Sequence, residues 1–257
     1  MNFCKSLFLS VSFMLLGSAA LATVPDNPPA PADDKKSLPE FTASQAEVLM
    51  VLDKSGSMYS LTEDTIGGFN SMIQKYRDLK LPVKVTSVLF NNRTQVLHNR
   101  EPIENIKELT KKDYIAEGTT ALLDAMGESL TNIDKIPELK NNKDIQVIVV
   151  IITDGIENAS KEYKKDSIKK MVSDHQEKDG WKFVFLGANI DAVAEAGALG
   201  IDTKNAVKYR NSSSGVRSNY EAVVDFTMEA MASDEALGSA AGSWKKKVEK
   251  DDDDNSK

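Results

Sequence analysis

The chain has 257 residues, 41% of them hydrophobic and 28% charged, enough length and apolar content for a core of its own, which excludes wholesale disorder. A formal charge of −7 with no obvious basic patch argues against nucleic acid as the main partner. The single cysteine, Cys4, allows no disulfide and excludes the usual Cys/His zinc site.

Residues 1–22 read as a secretory signal peptide. Lys5 supplies the positive start, Leu7 to Leu16 the apolar run, and Ala20-Leu21-Ala22 the small-x-small cleavage pattern. The apolar run is short for a membrane span, so no stable span is expected after cleavage, and the address is export to the periplasm, the cell surface or the outside. Cys4 precedes the apolar run, which disfavours a lipoprotein. Residues 23–44 carry Pro25, Pro28, Pro29, Pro31 and Pro39 among charged residues, a linker composition. A domain is expected over 45–233. The stretch 234–257, with Lys245-Lys246-Lys247 followed by Asp251 to Asp254, reads as a charged, disordered tail with Trp244 as a stray apolar residue.

Within the domain, strands and helices alternate. Val48 to Asp53 is a short, nearly all-apolar run, the mark of a strand buried on both faces. Phe69, Met72, Ile73, Tyr76 and Leu79 follow at helical spacing. Val83 to Phe90 and Thr94 to His98 flank Asn91-Asn92-Arg93 and predict an antiparallel hairpin. Ile103, Ile106 and Leu109 suggest a short helix, and Leu122, Met126, Leu130 and Ile133 another. Ile145 to Thr153 is the most apolar run of the domain and predicts a central strand. Ile168, Met171, Val172 and His175 stripe the next helix, which Ser160 is placed to cap and Gly180 to end. Trp181 to Leu186 predicts a strand, Asp191 to Ala198 a short helix, Ala206 to Tyr209 a weak strand, and Tyr220 to Met231 the last helix. This alternation predicts a doubly wound α/β fold: a mostly parallel sheet, one antiparallel edge strand, and helices on both faces. Ligands of such sheets sit beyond the carboxyl ends of the strands, near where the strand order switches.

Two aspartates are expected at such ends, Asp53 and Asp154. Asp53 opens Asp53-Lys54-Ser55-Gly56-Ser57, where alternate positions of a tight loop can point at one centre and Gly56 allows the turn. Thr120 lies in Gly118-Thr119-Thr120-Ala121-Leu122, and Asp154 in Thr153-Asp154-Gly155. Hydroxyls and carboxylates are hard oxygen donors, suited to Mg²⁺, or to Mn²⁺ or Ca²⁺. Three neutral hydroxyls with two carboxylates leave such an ion short of negative charge and open to one more anionic oxygen. Each piece also has a plain reading: Asp-x-Ser-Gly-Ser as a common loop, Thr120 as a helix cap, Thr-Asp-Gly as an ordinary turn. Their coincidence at strand ends, in this order, favours the metal.

These residues resemble the metal-ion-dependent adhesion site of von Willebrand factor type A domains, over roughly residues 45–233. Thr65-Ile66-Gly67-Gly68-Phe69-Asn70, Thr153 to Ser160 and Trp181 to Asn189 resemble a bacterial and phage-associated group of these domains. The resemblance implies that Ser55 and Ser57 bind the metal directly, that Asp53 acts through water, and that Thr120 and Asp154 exchange between the two modes. Thr120 fits better than Thr119 because it immediately precedes the Ala-Leu start of a helix. The acidic pair that follows the serines in integrin-type sites is replaced by Met58-Tyr59-Ser60, so a second regulatory metal is not expected. The implied function is a protein-binding module whose metal captures an exposed Asp or Glu of a protein partner, with no catalytic residues. The alternatives are a metal-dependent hydrolase, with Glu157 as the local acid or base, and a metal-free scaffold. Asp124, one helical turn after Thr120, reads equally as a support of the site or as a helix-surface charge, Glu157 also as an exposed loop residue, His175 as packed and His98 as exposed. No phosphate loop and no Gly-x-Ser-x-Gly elbow is present.

Overall fold

The computed structural model describes residues 38–232 and 242–253. The signal-peptide reading, most of the linker and parts of the tail lie outside the described residues. The chain forms β1 (Gln45–Asp53), α1 (Thr62–Asp78), β2 (Val83–Phe90), β3 (Thr94–Pro102), α2 (Leu122–Ile133), β4 (Ile145–Thr153), α3 (Lys165–Asp174), β5 (Lys182–Ala188), α4 (Ala192–Ala198), β6 (Ala206–Tyr209), α5 (Ser213–Met231) and α6 (Ser243–Asp253).

Six strands make one sheet in the order β3-β2-β1-β4-β5-β6. β2 and β4 flank β1 in parallel, β5 and β6 continue outward in parallel, and β3 runs antiparallel at the edge. The doubly wound, mostly parallel expectation holds, with its antiparallel edge strand. The apolar runs divide by strand alternation. Val48, Met50 and Leu52, with Ile148, Val150 and Ile152, enter the core under α1, α5 and α6. Leu49 and Val51, with Val147, Val149 and Ile151, enter the second core under α2, α3 and α4. Covering both faces with helices removes the polar face that a half-exposed strand would show. Each buried Val, Leu or Ile contributes roughly 1.5–3 kcal/mol against the cost of ordering the chain. On the first face the ring of Tyr220 lies where a Cβ on Gly68 would be 2.3 Å from its Cδ2, so Gly68 permits α1 and α5 to pack this closely.

The structure departs from the sequence reading at several points. The last linker residues are tied to the domain: Thr42 and Ala43 donate backbone N–H groups to the Met231 carbonyl, and Phe41 bridges Ala232. Only Ile103–Asn105 forms a helical turn where a short helix was expected, because Ile106 continues in extended backbone. Ser160 does not cap α3, which starts at Lys165 behind Lys164. His98 is buried, 2.5 Å from the Ser87 hydroxyl and stacked on Phe69. His175 is packed, as expected, with its ring 3.9 Å from that of Trp181. Within the expected tail, Ser243–Asp253 is a helix. Trp244 and Val248 are buried, and Trp244 meets Phe226 edge-to-face at 5.1 Å, while Glu229 accepts from Gly242 N, Ser243 Oγ and Trp244 N and so caps the helix start. Its two buried apolar residues stand one helical turn apart, a spacing that the surrounding charges mask in the sequence. Among the described residues no helix is long and apolar enough to cross a membrane.

Candidate metal centre

The strand order reverses between β1 and β4: from β1 the chain winds outward to β2, and from β4 outward to β5 and β6. Leu52 pairs with Ile152, so Asp53 and Thr153 end the two central strands side by side. This is the switch point at which doubly wound sheets bind ligands. Asp53 is buried, and its carboxylate is held from two sides. Ser55 N donates to Oδ1 at 2.7 Å and the Thr153 hydroxyl to Oδ2 at 2.7 Å. The Tyr114 hydroxyl donates to the Asp53 carbonyl at 2.5 Å.

Beyond Asp53 the chain turns at once into a short 3₁₀ helix, Gly56–Leu61, whose leading residue Ser55 spends no side-chain hydrogen bond on capping. The Ser55 and Ser57 hydroxyls lie 3.1 Å apart, and Ser57 Oγ donates to Asp154 Oδ1 at 2.5 Å. Gly56 is required here for close approach: a Cβ would stand 3.3 Å from the Gly118 carbonyl, which accepts the Gly56 N–H at 3.0 Å. The left-handed residue of the pair is Gly118, at φ +79°.

Thr120 joins the same cluster. A Cβ on Gly155 would lie 3.1 Å from Thr120 Oγ1 and 3.7 Å from Ser57 Oγ, so Gly155 keeps the space between these hydroxyls clear. Thr120 is buried and Thr119 exposed. Thr120 does not cap α2 with its side chain. The loop after β4 does that instead. Glu157 Oε2 accepts from Leu123 N, and Ser160 Oγ accepts from Asp124 N. In return the Asp124 carboxylate accepts from the N–H groups of Lys161, Glu162 and Tyr163. Asn158 completes the lock: its Oδ1 accepts from Thr120 N, and its N–H donates to the Thr120 carbonyl. Thr120 and the start of α2 are thereby held to the loop that follows Asp154 by reciprocal capping. Sequence reasoning missed Thr153, Tyr114 and Asn158 as positioning residues. A threonine closing an otherwise apolar strand was the one signal for Thr153; Tyr114 and Asn158 act through backbone groups and left none.

All five residues therefore converge at the carboxyl ends of β1 and β4. The electrostatics are those of a site short of positive charge. Burial pushes the Asp53 carboxyl up to about 6, with the neighbouring Asp154 charge adding to the shift, against hydrogen bonds from Thr153 and Ser55. Burial raises Asp154 as well. Asp154 Oδ2 is buried and has no hydrogen-bond partner. Among the described residues no ion pair is made to either carboxylate; Lys54, next in sequence, points its ammonium at Gln95 Oε1, 2.7 Å away. Beneath the site lie the buried phenols of Tyr209 and Tyr220, which offer no charge. A hard divalent cation fits this set: two carboxylates and three hydroxyls, an acceptor oxygen without a partner, and a gap that a single Cβ would narrow. The set holds no cluster of three acidic or histidine ligands among the described residues, so it relies on hydroxyls for half of its donors or more.

No protein-family model matches the sequence, and no curated protein matches it. Solved structures do. Proximal thread matrix protein 1 from the mussel byssus, with a zinc-occupied metal-ion-dependent adhesion site, is similar at a TM-score of 0.52 and 15% identity over 73% of this chain and 49% of that one. The pilus adhesin SpaC from Lactobacillus rhamnosus GG, in its open conformation, is similar at a TM-score of 0.58 and 9% identity, over 76% of this chain and 31% of that one. A von Willebrand factor type A structure from Catenulispora acidiphila matches at a TM-score of 0.49 and 13% identity, over 74% and 43% of the two chains. The chain spans about half the length of the mussel protein, and at these identities the likeness is one of fold. This chain shares its doubly wound α/β fold with the mussel matrix protein and the pilus adhesin.

Proposed function

We propose that this chain is an exported binding module that holds Mg²⁺, or Mn²⁺ or Ca²⁺, on Asp53, Ser55, Ser57, Thr120 and Asp154, and uses it to capture an acidic residue of a protein partner. The observation that carries the reading is the pair of buried carboxylates at the switch point, with three hydroxyls around them and, among the described residues, no protein cation to balance them. A bound divalent ion supplies that balance and, with hydroxyls for much of its coordination, retains affinity for an outside carboxylate. The protein's own part is to preorganise. Thr153 and Ser55 N orient Asp53, Ser57 orients Asp154, and the Glu157–Asn158–Asp124 network fixes Thr120 against the loop after β4.

The hydrolase reading loses its one candidate base. The Glu157 carboxylate accepts from Leu123 N, Ala159 N, Ser160 N and Ser160 Oγ, so its oxygens are committed to capping. The deciding experiment is calorimetric titration of the full chain with Mg²⁺, Mn²⁺ and Ca²⁺ beside the double variant Ser55→Ala/Ser57→Ala. Binding by the parent and its loss in the variant is the expected result. No binding by either would leave a metal-free scaffold.

A further inference from the structure

Three of the large hydrophobic side chains most exposed to solvent lie on the loops that carry the metal-centre residues. Tyr59 is 77% exposed, Ile156 64% and Ile115 54%. Tyr59 follows Ser57 by two residues, on the turn that leads away from the site. Ile156 follows Asp154 by two. Ile115 follows Tyr114, whose hydroxyl holds the Asp53 carbonyl. The three loops that carry them are stapled together by backbone bonds: Gly56 N to Gly118 O at 3.0 Å, Glu117 N to Lys54 O at 2.9 Å, and Asn158 N to Thr120 O at 3.0 Å. The three exposed side chains are thus carried by the same joined loops that hold Ser57, Thr120 and Asp154.

Nothing in the folding of these loops asks for apolar side chains here. The neighbours Met58 and Tyr114 are buried and supply the packing, while Tyr59 and Ile115 point away from the same backbone. Exposed apolar groups gathered round a polar centre are the layout of a binding surface, an anchor flanked by contacts that exclude water. Here the physical gain is specific. A carboxylate–cation contact is weak in water and strengthens as water is removed, so an apolar collar that closes on a partner deepens the attraction at its centre.

Resting on the metal-dependent reading above, we propose that Tyr59, Ile115 and Ile156 form an apolar collar that selects the partner. The occupant is a protein loop in which an Asp or Glu is flanked within two residues by large apolar side chains, rather than an acidic residue in a polar setting. Charge complementarity at the centre and apolar contact at the rim both point to that one chemistry.

The test is a phage-displayed peptide selection on the full chain in Mg²⁺, eluted with EDTA, run in parallel on Tyr59→Ser/Ile115→Ser/Ile156→Ser. The triple variant is first shown by calorimetry to keep its Mg²⁺ affinity within about twofold, since none of the three residues is a ligand. EDTA-eluted peptides from the parent are expected to carry an acidic residue with Leu, Ile, Phe or Tyr beside it, and to bind the triple variant at least about tenfold more weakly, each tenfold being about 1.4 kcal/mol. Enriched peptides with acidic residues in polar surroundings, or with unchanged affinity for the triple variant, would overturn the collar while leaving metal-dependent capture intact. Absence of any EDTA-sensitive enrichment would instead count against metal-dependent capture itself. Sedimentation velocity adds one further arm: concentration-dependent dimers of the parent, insensitive to EDTA and absent in the triple variant, would reassign the collar to contact between copies of this chain.

Discussion

Glu47 and Asp53 lie six positions apart on one strand, both only 1% exposed, and the protein treats them in opposite ways. Glu47 is answered from inside the molecule. Arg100 donates to both of its oxygens, at 2.7 and 3.2 Å, and also pairs with Glu138, while Lys84 stands 4.0 Å away. Asp53 receives a hydroxyl and a backbone N–H, has a second carboxylate for a neighbour, and meets no cation among the described residues. A buried charge is tolerable when it is paired and costly when it is not. The first arrangement serves stability. The second withholds stability at the one place where the topology exposes a switch point, as expected of a site built for something that arrives from outside.

The comparison can be broken most sharply at the metal. Asp154→Ala removes the carboxylate that has an unpartnered oxygen, and it is expected to lower Mg²⁺ affinity by at least about a thousandfold, roughly 4 kcal/mol, in calorimetry. An affinity within tenfold of the parent would show that Asp154 is not a ligand. At the other end of β1, Arg100→Ala strands Glu47 in the core. Chemical denaturation should show a loss of about 3 kcal/mol, the cost of an orphaned buried charge, with Mg²⁺ affinity unchanged. A loss below about 1 kcal/mol would mean that Lys84 suffices.

Asp53 sharpens the contrast through pH. Its carboxyl stands at about 6 in the folded protein against 3.8 ordinarily. The folded state therefore holds this proton more tightly than the unfolded chain. The associated stability is fully present below pH 3.8 and is lost as the pH rises through about 6. Metal-free Asp53→Asn, which cannot ionise, is expected to be more stable than the parent near neutral pH by about 3 kcal/mol, a gap that closes toward about pH 4. Equal stabilities at neutral pH would refute the burial argument. Saturating Mg²⁺ should stabilise the parent in the same range, about 2.7 kcal/mol at a hundred times the dissociation constant, and leave the variant unmoved. The smallest effect belongs to the rim: Tyr59→Ser should change melting stability by no more than about 0.5 kcal/mol, because its side chain packs against little in the isolated protein.

Much of this was legible in one dimension. The apolar runs at Val48 to Asp53 and Ile145 to Thr153, bounded by carboxylates, predict two central strands with acidic carboxyl ends, because a strand covered on both faces has no polar alternation to blur it. Asp-x-Ser-x-Ser carries its own geometry, since residues two apart in a tight loop are already close in space. Thr120 was harder. What brings it to Ser57 is a set of caps in which Glu157, Ser160 and Asp124 trade partners between a loop and a helix some 35 residues apart in sequence. Glu157 and Asp124 could be read as surface charges for the same reason: a cap that serves another segment's N–H groups leaves no local signature. Lys245 to Asp254 read as a tail because charge outnumbers apolar residues there, although Trp244 and Val248 are buried and Glu229 caps the helix start.

Strand identity, the doubly wound class and the chemical type of the candidate ligands follow from the sequence alone, because each depends on residues within a few positions of one another. Strand order, the burial that raises Asp53, the lack of a cation beside it among the described residues, the pairing of Glu47 with Arg100 and the exposure of Tyr59, Ile115 and Ile156 were decided by tertiary structure. Those properties depend on which distant segments come to share a volume, and no local pattern of residue types specifies that.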